Sequence, residues 1–263
     1  MGIVLSTTNL AEQSGASITV SSETTGLGPR AMFTPQIQDF WRSGTWNIST
    51  TVSVTIDLGS LKSFRLIAIA APRDGVLPPS NSTLTLTASA FNPNDTDALN
   101  LSSLPLSLSP WGVWGWRSST SVAARYVKLT FNYGGIISLS SYVQLGRLWI
   151  GDAIITEQSY AYGQTKTVRD PGINSRSSVT GIRYATRGKS YRVERLSLPF
   201  LTESEATALV VAADAVGTTG QIFFAREEEY LGEGMFGHFI ESPSVVRQLE
   251  TLWTTDFQIE EDA

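Results

Sequence analysis

His238 is the only histidine in the chain, and there is no cysteine. A lone imidazole cannot build a multi-histidine metal site, and the missing thiols exclude disulfides and thiolate metal centres outright. A serine–histidine–acid set would have to pass through His238, and no Gly-x-Ser-x-Gly nucleophile elbow accompanies it. Its setting, Gly237-His238-Phe239-Ile240, reads as a strand in which the ring is packed or hydrogen-bonded. Gly232-Glu233-Gly234-Met235-Phe236-Gly237 matches the dinucleotide-binding glycine pattern letter for letter. That pattern needs a strand before it and a helix after it, so that the helix N-terminus holds the pyrophosphate. Here Arg226-Glu227-Glu228-Glu229 precedes it and strand-like sequence follows, so phosphate would meet negative charge and the stretch reads as a hairpin turn.

Carboxylates come in two runs, Glu227-Glu228-Glu229 and Glu260-Glu261-Asp262, both with the character of solvated surface. The separation that makes two carboxylates a glycosidase pair is spatial and is not written in a sequence. Asn92-Pro93-Asn94 and Asp95-Thr96-Asp97 offer the oxygen donors calcium takes, without the ordered spacing of a calcium loop. On this reading no catalytic residue, no cofactor site and no metal site is assigned.

The tryptophans are the stronger anomaly. Five of the seven fall in two loop-like places, Trp41/Trp46 and Trp111/Trp114/Trp116. If 114–116 is extended, Trp114 and Trp116 point the same way with Gly115 leaving room beside them, and a flat apolar face with a polar edge suits stacking on a sugar ring. The alternative is that these rings close the end of a sandwich or bury against a second domain, as large apolar groups generally do. Trp111, Trp114 and Trp116 are therefore the candidate interface or glycan contacts, with both readings open.

The elements that must position them are strands. Val52, Val54, Ile56 and Leu58 alternate with Ser53, Thr55 and Asp57, the period of a strand with one buried face. Leu58-Gly59-Ser60 is a turn signal, and Phe64 to Ala71 suits a second strand buried on both faces. Ile18–Val20, Leu84–Ala90, Tyr126–Tyr133 and Tyr142–Ile150 add further strands, with a Gly26-Leu27-Gly28-Pro29 turn before the core and a long irregular segment from Asn92 to Thr120. This pattern predicts an antiparallel sandwich. A polar connection from Thr156 to Ser178 contains the turn Asp170-Pro171-Gly172, and the domain boundary is placed at about 152, giving 1–152 and 153–263.

In the second half, strands are expected at Ser178–Thr186, Tyr191–Phe200, Gln221–Ala225, Met235–Ile240 and Leu252–Ile259. One helix begins at Thr202, where Thr202 and Glu205 have capping-box spacing. Ala206, Leu209, Val210 and Ala213 form its apolar face, and Gly217 stops it. The fold class is mainly β: an N-terminal antiparallel jelly-roll sandwich plus a smaller C-terminal α+β domain with one helix on a sheet.

Composition narrows the function classes. A formal net charge of -5 argues against a general nucleic-acid binder. No stretch approaches the roughly 18 apolar residues needed to span a bilayer. The N-terminus lacks a signal-peptide pattern but fits the loose myristoylation pattern through Gly2 and Ser6. Asn47, Asn81, Asn94 and Asn100 sit in acceptor sequences for glycosylation, which chance explains in a chain so rich in Ser and Thr.

Trp41-Arg42-Ser43, followed by Thr55-Ile56-Asp57-Leu58-Gly59 and the apolar run Leu66–Ala71, resembles the opening of galactose-binding-like, discoidin-type jelly rolls. Arg125-Tyr126-Val127-Lys128-Leu129 looks like their penultimate strand and Gln144–Gly151 like the closing one. With Arg195–Leu201 leading into a capped helix and then Ile222-Phe223-Phe224, the chain is similar to distal tail and baseplate proteins of tailed bacteriophages. The resemblance implies a structural, non-enzymatic component of a virion tail tip, assembled in the host cytoplasm and linking the tail tube to hub or fibre proteins. It implies as partners a cyclic homo-oligomer in multiples of three, other tail proteins such as the tape measure, and a host surface glycan, with no nucleic acid and no membrane anchor. Two other classes stay open: a carbohydrate-binding module recognising a cell-surface glycan, and a polysaccharide hydrolase.

Overall fold

The computed structural model describes residues 2–262 apart from 73–74, 77, 80, 93–98, 107–111, 135–140, 158–159, 162–163, 177–179, 181–182, 187, 227–230 and 250. In chain order its strands are β1 (Val4–Ser6), β2 (Ser17–Val20), β3 (Trp41–Arg42), β4 (Thr51–Ala70), β5 (Thr83–Ser89), β6 (Leu99–Pro105), β7 (Val113–Asn132), β8 (Gln144–Leu145), β9 (Arg147–Gly151) and β10 (Ile154–Ile155). They continue as β11 (Thr165–Arg169), β12 (Ile173–Arg176), β13 (Arg183–Thr186), β14 (Tyr191–Leu201), β15 (Ile222–Ala225), β16 (Met235–Phe239), β17 (Ser244–Arg247) and β18 (Trp253–Glu261), with one helix, α1 (Glu203–Val216). The protein is mainly β, an antiparallel jelly-roll sandwich followed by an α+β part.

The chain divides into two compact units, Met1–Ile155 with Ile222–Met235, and Thr156–Gln221 with Phe236–Ala263. The break after Ile155 lies close to the boundary read at 152. The return of 222–235 to the first unit departs from a simple division into 1–152 and 153–263. Its cause is β15, which pairs antiparallel with β1, Val4 opposite Ala225 and Ser6 opposite Phe223. Two short apolar strands far apart in sequence satisfy each other's backbone groups, a pairing that no local pattern announces.

In the first unit β2, β4, β7, β5 and β6 lie side by side, and β9 pairs with the far half of β4. The alternation in β4 is real: Val52, Val54, Ile56 and Leu58 are all buried. The turn expected at Leu58-Gly59-Ser60 is instead a bulge in one twenty-residue strand. Asp57 lies opposite Tyr126 and Lys62 opposite Ala124, so β4 carries extra residues that bend it without reversing it. Gly59 takes φ +77 there, and a Cβ would come 2.7 Å from the Gly15 carbonyl oxygen, so glycine is needed for two reasons. The irregular stretch expected over Asn92–Thr120 contains β6 and the start of β7. The inner faces of β4, β5 and β7 make the core, with Trp41, Trp46, Phe64 and Phe131 at its centre.

The N-terminal segment is tied to β9 by side-chain hydrogen bonds. Asn9 donates to the Leu148 carbonyl oxygen at 2.8 Å and accepts from the Ile150 amide at 3.0 Å, acting as an extra strand partner. Buried Trp149 donates its indole N–H to Ser6 Oγ at 2.9 Å.

In the second unit β14 is flanked by β11 and β18, and β18 pairs also with β16 and β17. α1 packs on this sheet and starts as its sequence requires: Thr202 Oγ1 accepts from the Glu205 amide while Glu205 accepts from the Thr202 amide. Gly217 ends it with φ +59. Ala206, Leu209, Ala212 and Ala213 form the buried face. Val210, expected on that face, is 44% exposed, because the stripe turns through Ala212.

Candidate functional site

Trp41, Trp46 and Trp114 are buried, and Trp116 is partly buried. β3 and the neighbouring bridge between Trp46 and Ser141 carry Trp41 and Trp46 into the core, both fully buried. Neither indole N–H has a hydrogen-bond acceptor among the described residues. Trp114 and Trp116 are extended and do point the same way, as their spacing predicted, but toward the core: Trp114 is 6% exposed and Trp116 packs half-buried beside it. They stand opposite Ile69 and Ile67 of β4. Gly115 leaves room not for a ligand but for Leu231, whose Cβ would sit 2.7 Å from an added Cβ. The exposed-surface reading is thereby corrected for Trp114, since burial of its indole outweighs anything its edge gains in water. Trp111 lies outside the described residues, as do Asp95-Thr96-Asp97 and Glu227-Glu228-Glu229.

The recess that can take a ligand lies beside β2. A single-turn 3-10 helix over Pro29–Phe33 is started by a proline, whose fixed φ suits a first helical position. It faces the start of β2 across an open cleft of about 890 Å³, lined by Ser17, Ile18, Glu23, Arg30, Phe33 and Thr34 among others. Phe33 is half-buried and packs its inner side on the sandwich core. Glu23 and Arg30 are exposed, and neither has an ion-pair partner among the described residues. An anchored ring, an acid and a base thus border one cleft, each free to engage a polar ligand.

A cation lies close by in sequence and backbone. Arg42 of β3 donates its amide N–H to the Leu27 carbonyl oxygen at 3.2 Å and accepts from the Thr24 amide at 2.8 Å, which ties the loop leading into the cleft to the sandwich. Its guanidinium is held between two rings, 5.5 Å from the Phe40 centroid and 5.4 Å from that of Tyr142. Its Nε is buried with no acceptor among the described residues.

No protein-family model matches the chain, and a search of curated proteins returns no match. Among solved structures it is similar to a GH29 fucosidase from Ruminococcus gnavus in complex with fucose, at 18% identity and a TM-score of 0.45, over 56% of this chain and 27% of that one. It is similar to the family 32 carbohydrate-binding module of Clostridium perfringens NanJ in complex with galactose, at 17% identity and a TM-score of 0.41, over 56% of this chain and 98% of the module. A third likeness is to the family 32 module of AlyQ in complex with 4,5-unsaturated mannuronic acid, at 18% identity and a TM-score of 0.40, over 51% and 92% of the two chains. The chain thus spans about a quarter of the fucosidase and nearly the whole of each module.

Glu23 is the one carboxylate and Arg30 the one basic side chain among the described residues lining the cleft. No group of three metal-ligating side chains occurs among the described residues. His238 lies in the other unit, where its Nδ1 is 3.0 Å from Asp262 Oδ1 and Gln221 donates to the second oxygen of that carboxylate at 2.6 Å. A strand, β16, runs through Met235–Phe239 where a dinucleotide motif would need a helix. Sequence reading missed Glu23, Arg30 and Phe33, because single residues in a loop rich in Ser, Thr and Gly form no period. The one available signal was Gly28-Pro29, which marks the start of a helical turn as well as it marks a bend.

Proposed function

We propose that the first unit is a carbohydrate-recognition sandwich that binds a cell-surface glycan in the cleft bounded by Glu23, Arg30 and Phe33, without cleaving it. The observation that carries this is the free acid and free base beside a core-anchored ring, all bordering one open cleft. A sugar presents an apolar ring face and a rim of hydroxyls that both donate and accept. Phe33 offers the stacking surface, Glu23 accepts and Arg30 donates. Such contacts, open to water on one side, suit weak binding that gains strength by repetition. The test is a glycan array followed by calorimetry on the best ligand. Phe33→Ala and Arg30→Ala are expected to abolish binding while leaving the melting temperature within a few degrees. A folded protein that binds no glycan, or a Phe33→Ala variant that binds as well as the parent, would sink the proposal.

A second reading, a structural component of a phage tail tip joining tube to hub or fibres, is favoured by a different observation. The sandwich unit is not one contiguous stretch: Ile222–Met235 belongs to it, with β15 paired to β1 and Leu231 seated on Gly115. A detachable sugar-binding module is ordinarily cut from a chain in one piece. Inclusion of the later segment suits a protein whose sandwich serves an assembly. The two readings are compatible, and neighbouring genes encoding tail components would support this one.

A further inference from the structure

Charge is unevenly placed in the second unit. Between residues 166 and 189 the sequence has six basic residues and one acid, Asp170. Over 202–221 and 236–263, the parts of that unit that follow β14, it has nine acids and one arginine. The basic stretch contains an arm: β12 and β13 hydrogen-bond to each other and, among the described residues, to no other strand. Arg176 stands directly opposite Arg183 in its register, both exposed. Ile173 on the same arm is 71% exposed, and Lys189 follows at its base, also exposed.

The acidic part has a matching surface. Glu203, Thr207, Val210, Val211 and Asp214 follow one another at i, i+4, i+7, i+8 and i+11, one stripe of α1, and all are exposed. Two valines, 44% and 63% exposed, thus lie between two carboxylates. The arm is apolar with a basic rim; the helix stripe is apolar with an acidic rim.

We propose that the arm of one copy docks on the α1 stripe of a second copy, with Ile173 against Val210 and Val211 and with Arg176 and Arg183 facing Glu203 and Asp214. Each copy carries both halves of the match, so the complementary surface is always present at the concentration of the protein itself. A nucleic acid would satisfy the arm's charge equally well, but a chain of net charge -5 repels it at long range. The contact joins two different patches and is therefore heterologous, closing into a ring or extending as a chain according to the rotation it imposes.

Sedimentation of the full chain over a concentration series, from about 0.05 to about 0.5 M salt, tests this. Self-association at low salt that weakens with added salt is expected. Arg176→Glu with Arg183→Glu should raise the dissociation constant about tenfold or more, and Val211→Ser should weaken association without altering charge. Mixing the arm variant with an Asp214→Lys variant should restore association, with circular dichroism confirming that each is folded. A monomer at every concentration and salt, association indifferent to the arm variant, or an arm that retains heparin or nucleic acid while the protein stays monomeric would each overturn the proposal.

Discussion

Arg125 grips Asp57 through two parallel hydrogen bonds, Nε to Oδ1 and Nη2 to Oδ2, each 2.8 Å long. Asp57 also accepts the Gly59 amide at 2.8 Å, so one carboxylate ties β7 to β4 and fixes the bulge at which β4 bends. The Arg125 hydrogen bonds hold the Asp57 carboxyl below the ordinary aspartate value; burial opposes them and the Gly59 amide adds to them. A carboxyl that is more acidic folded than unfolded contributes stability above its unfolded pKa, and that contribution is lost as pH falls through the folded value. The melting temperature is therefore expected to drop as pH falls below about 4. Asp57→Asn should have a lower melting temperature near neutrality and a flatter acid limb. An acid limb unchanged in Asp57→Asn would show that other carboxylates carry the effect.

Gly115→Ala should destabilise the first unit by about 1–3 kcal/mol, the cost of forcing a methyl into a packed contact. The added Cβ would meet the Leu231 Cβ at 2.7 Å and cannot be accommodated by rotating a chain end. Leu231→Ala alone should also destabilise, since that leucine is buried. Because the two positions touch, their effects should couple by more than about 0.5 kcal/mol in a double-mutant cycle read by urea unfolding. Strict additivity would mean that residues 222–235 do not return to the sandwich as described.

Much of this architecture was legible because it follows from periods. Val52 through Leu58 and Val127 through Phe131 alternate, and their buried faces are the ones that alternation names. The capping box at Thr202 and Glu205 was readable for a similar reason, since its partners lie three residues apart. What failed was whatever depends on distant partners. Gly59 has the positive φ of a turn, yet the strand continues because β7 remains hydrogen-bonded on both sides of it. Trp114 and Trp116 were correctly placed on one face, but which face meets the core is decided by β4, remote in sequence. Glu23, Arg30 and Phe33 share a cleft only because a helical turn at Pro29–Phe33 faces β2.

Thr202→Ala should cost about 1 kcal/mol, the usual worth of an N-cap side chain. Its hydroxyl accepts the Glu205 amide and its own amide is taken by the Glu205 carboxylate, so the substitution removes one half of a reciprocal pair. Thr202→Ser keeps the hydroxyl and should recover most of the loss. Thermal unfolding of the three proteins checks it, and equal stability of the alanine and serine variants would contradict the capping geometry.

Arg192 and Glu261 form a charge pair with little access to water. Arg192 is fully buried on β14, and Glu261, at the end of β18, is 6% exposed. Arg192 donates Nε at 3.0 Å and Nη2 at 2.6 Å to Glu261 Oε1, and its backbone N–H donates to Oε2 at 2.9 Å. Taking two such charges out of water costs about as much as their attraction returns, so the pair adds little net stability, but breaking it strands a charge. Glu261→Gln removes the negative charge that Glu261 holds against the buried guanidinium and should cost about 3–5 kcal/mol. Arg192→Met with Glu261→Gln removes the buried cation while the glutamine carbonyl can still accept the backbone N–H of residue 192. That double variant should therefore be more stable than Glu261→Gln alone, although it carries one more substitution. Urea unfolding of the two proteins checks this: a double variant less stable than the single one would mean that the buried guanidinium is still favourably placed when Glu261 is replaced by a neutral amide.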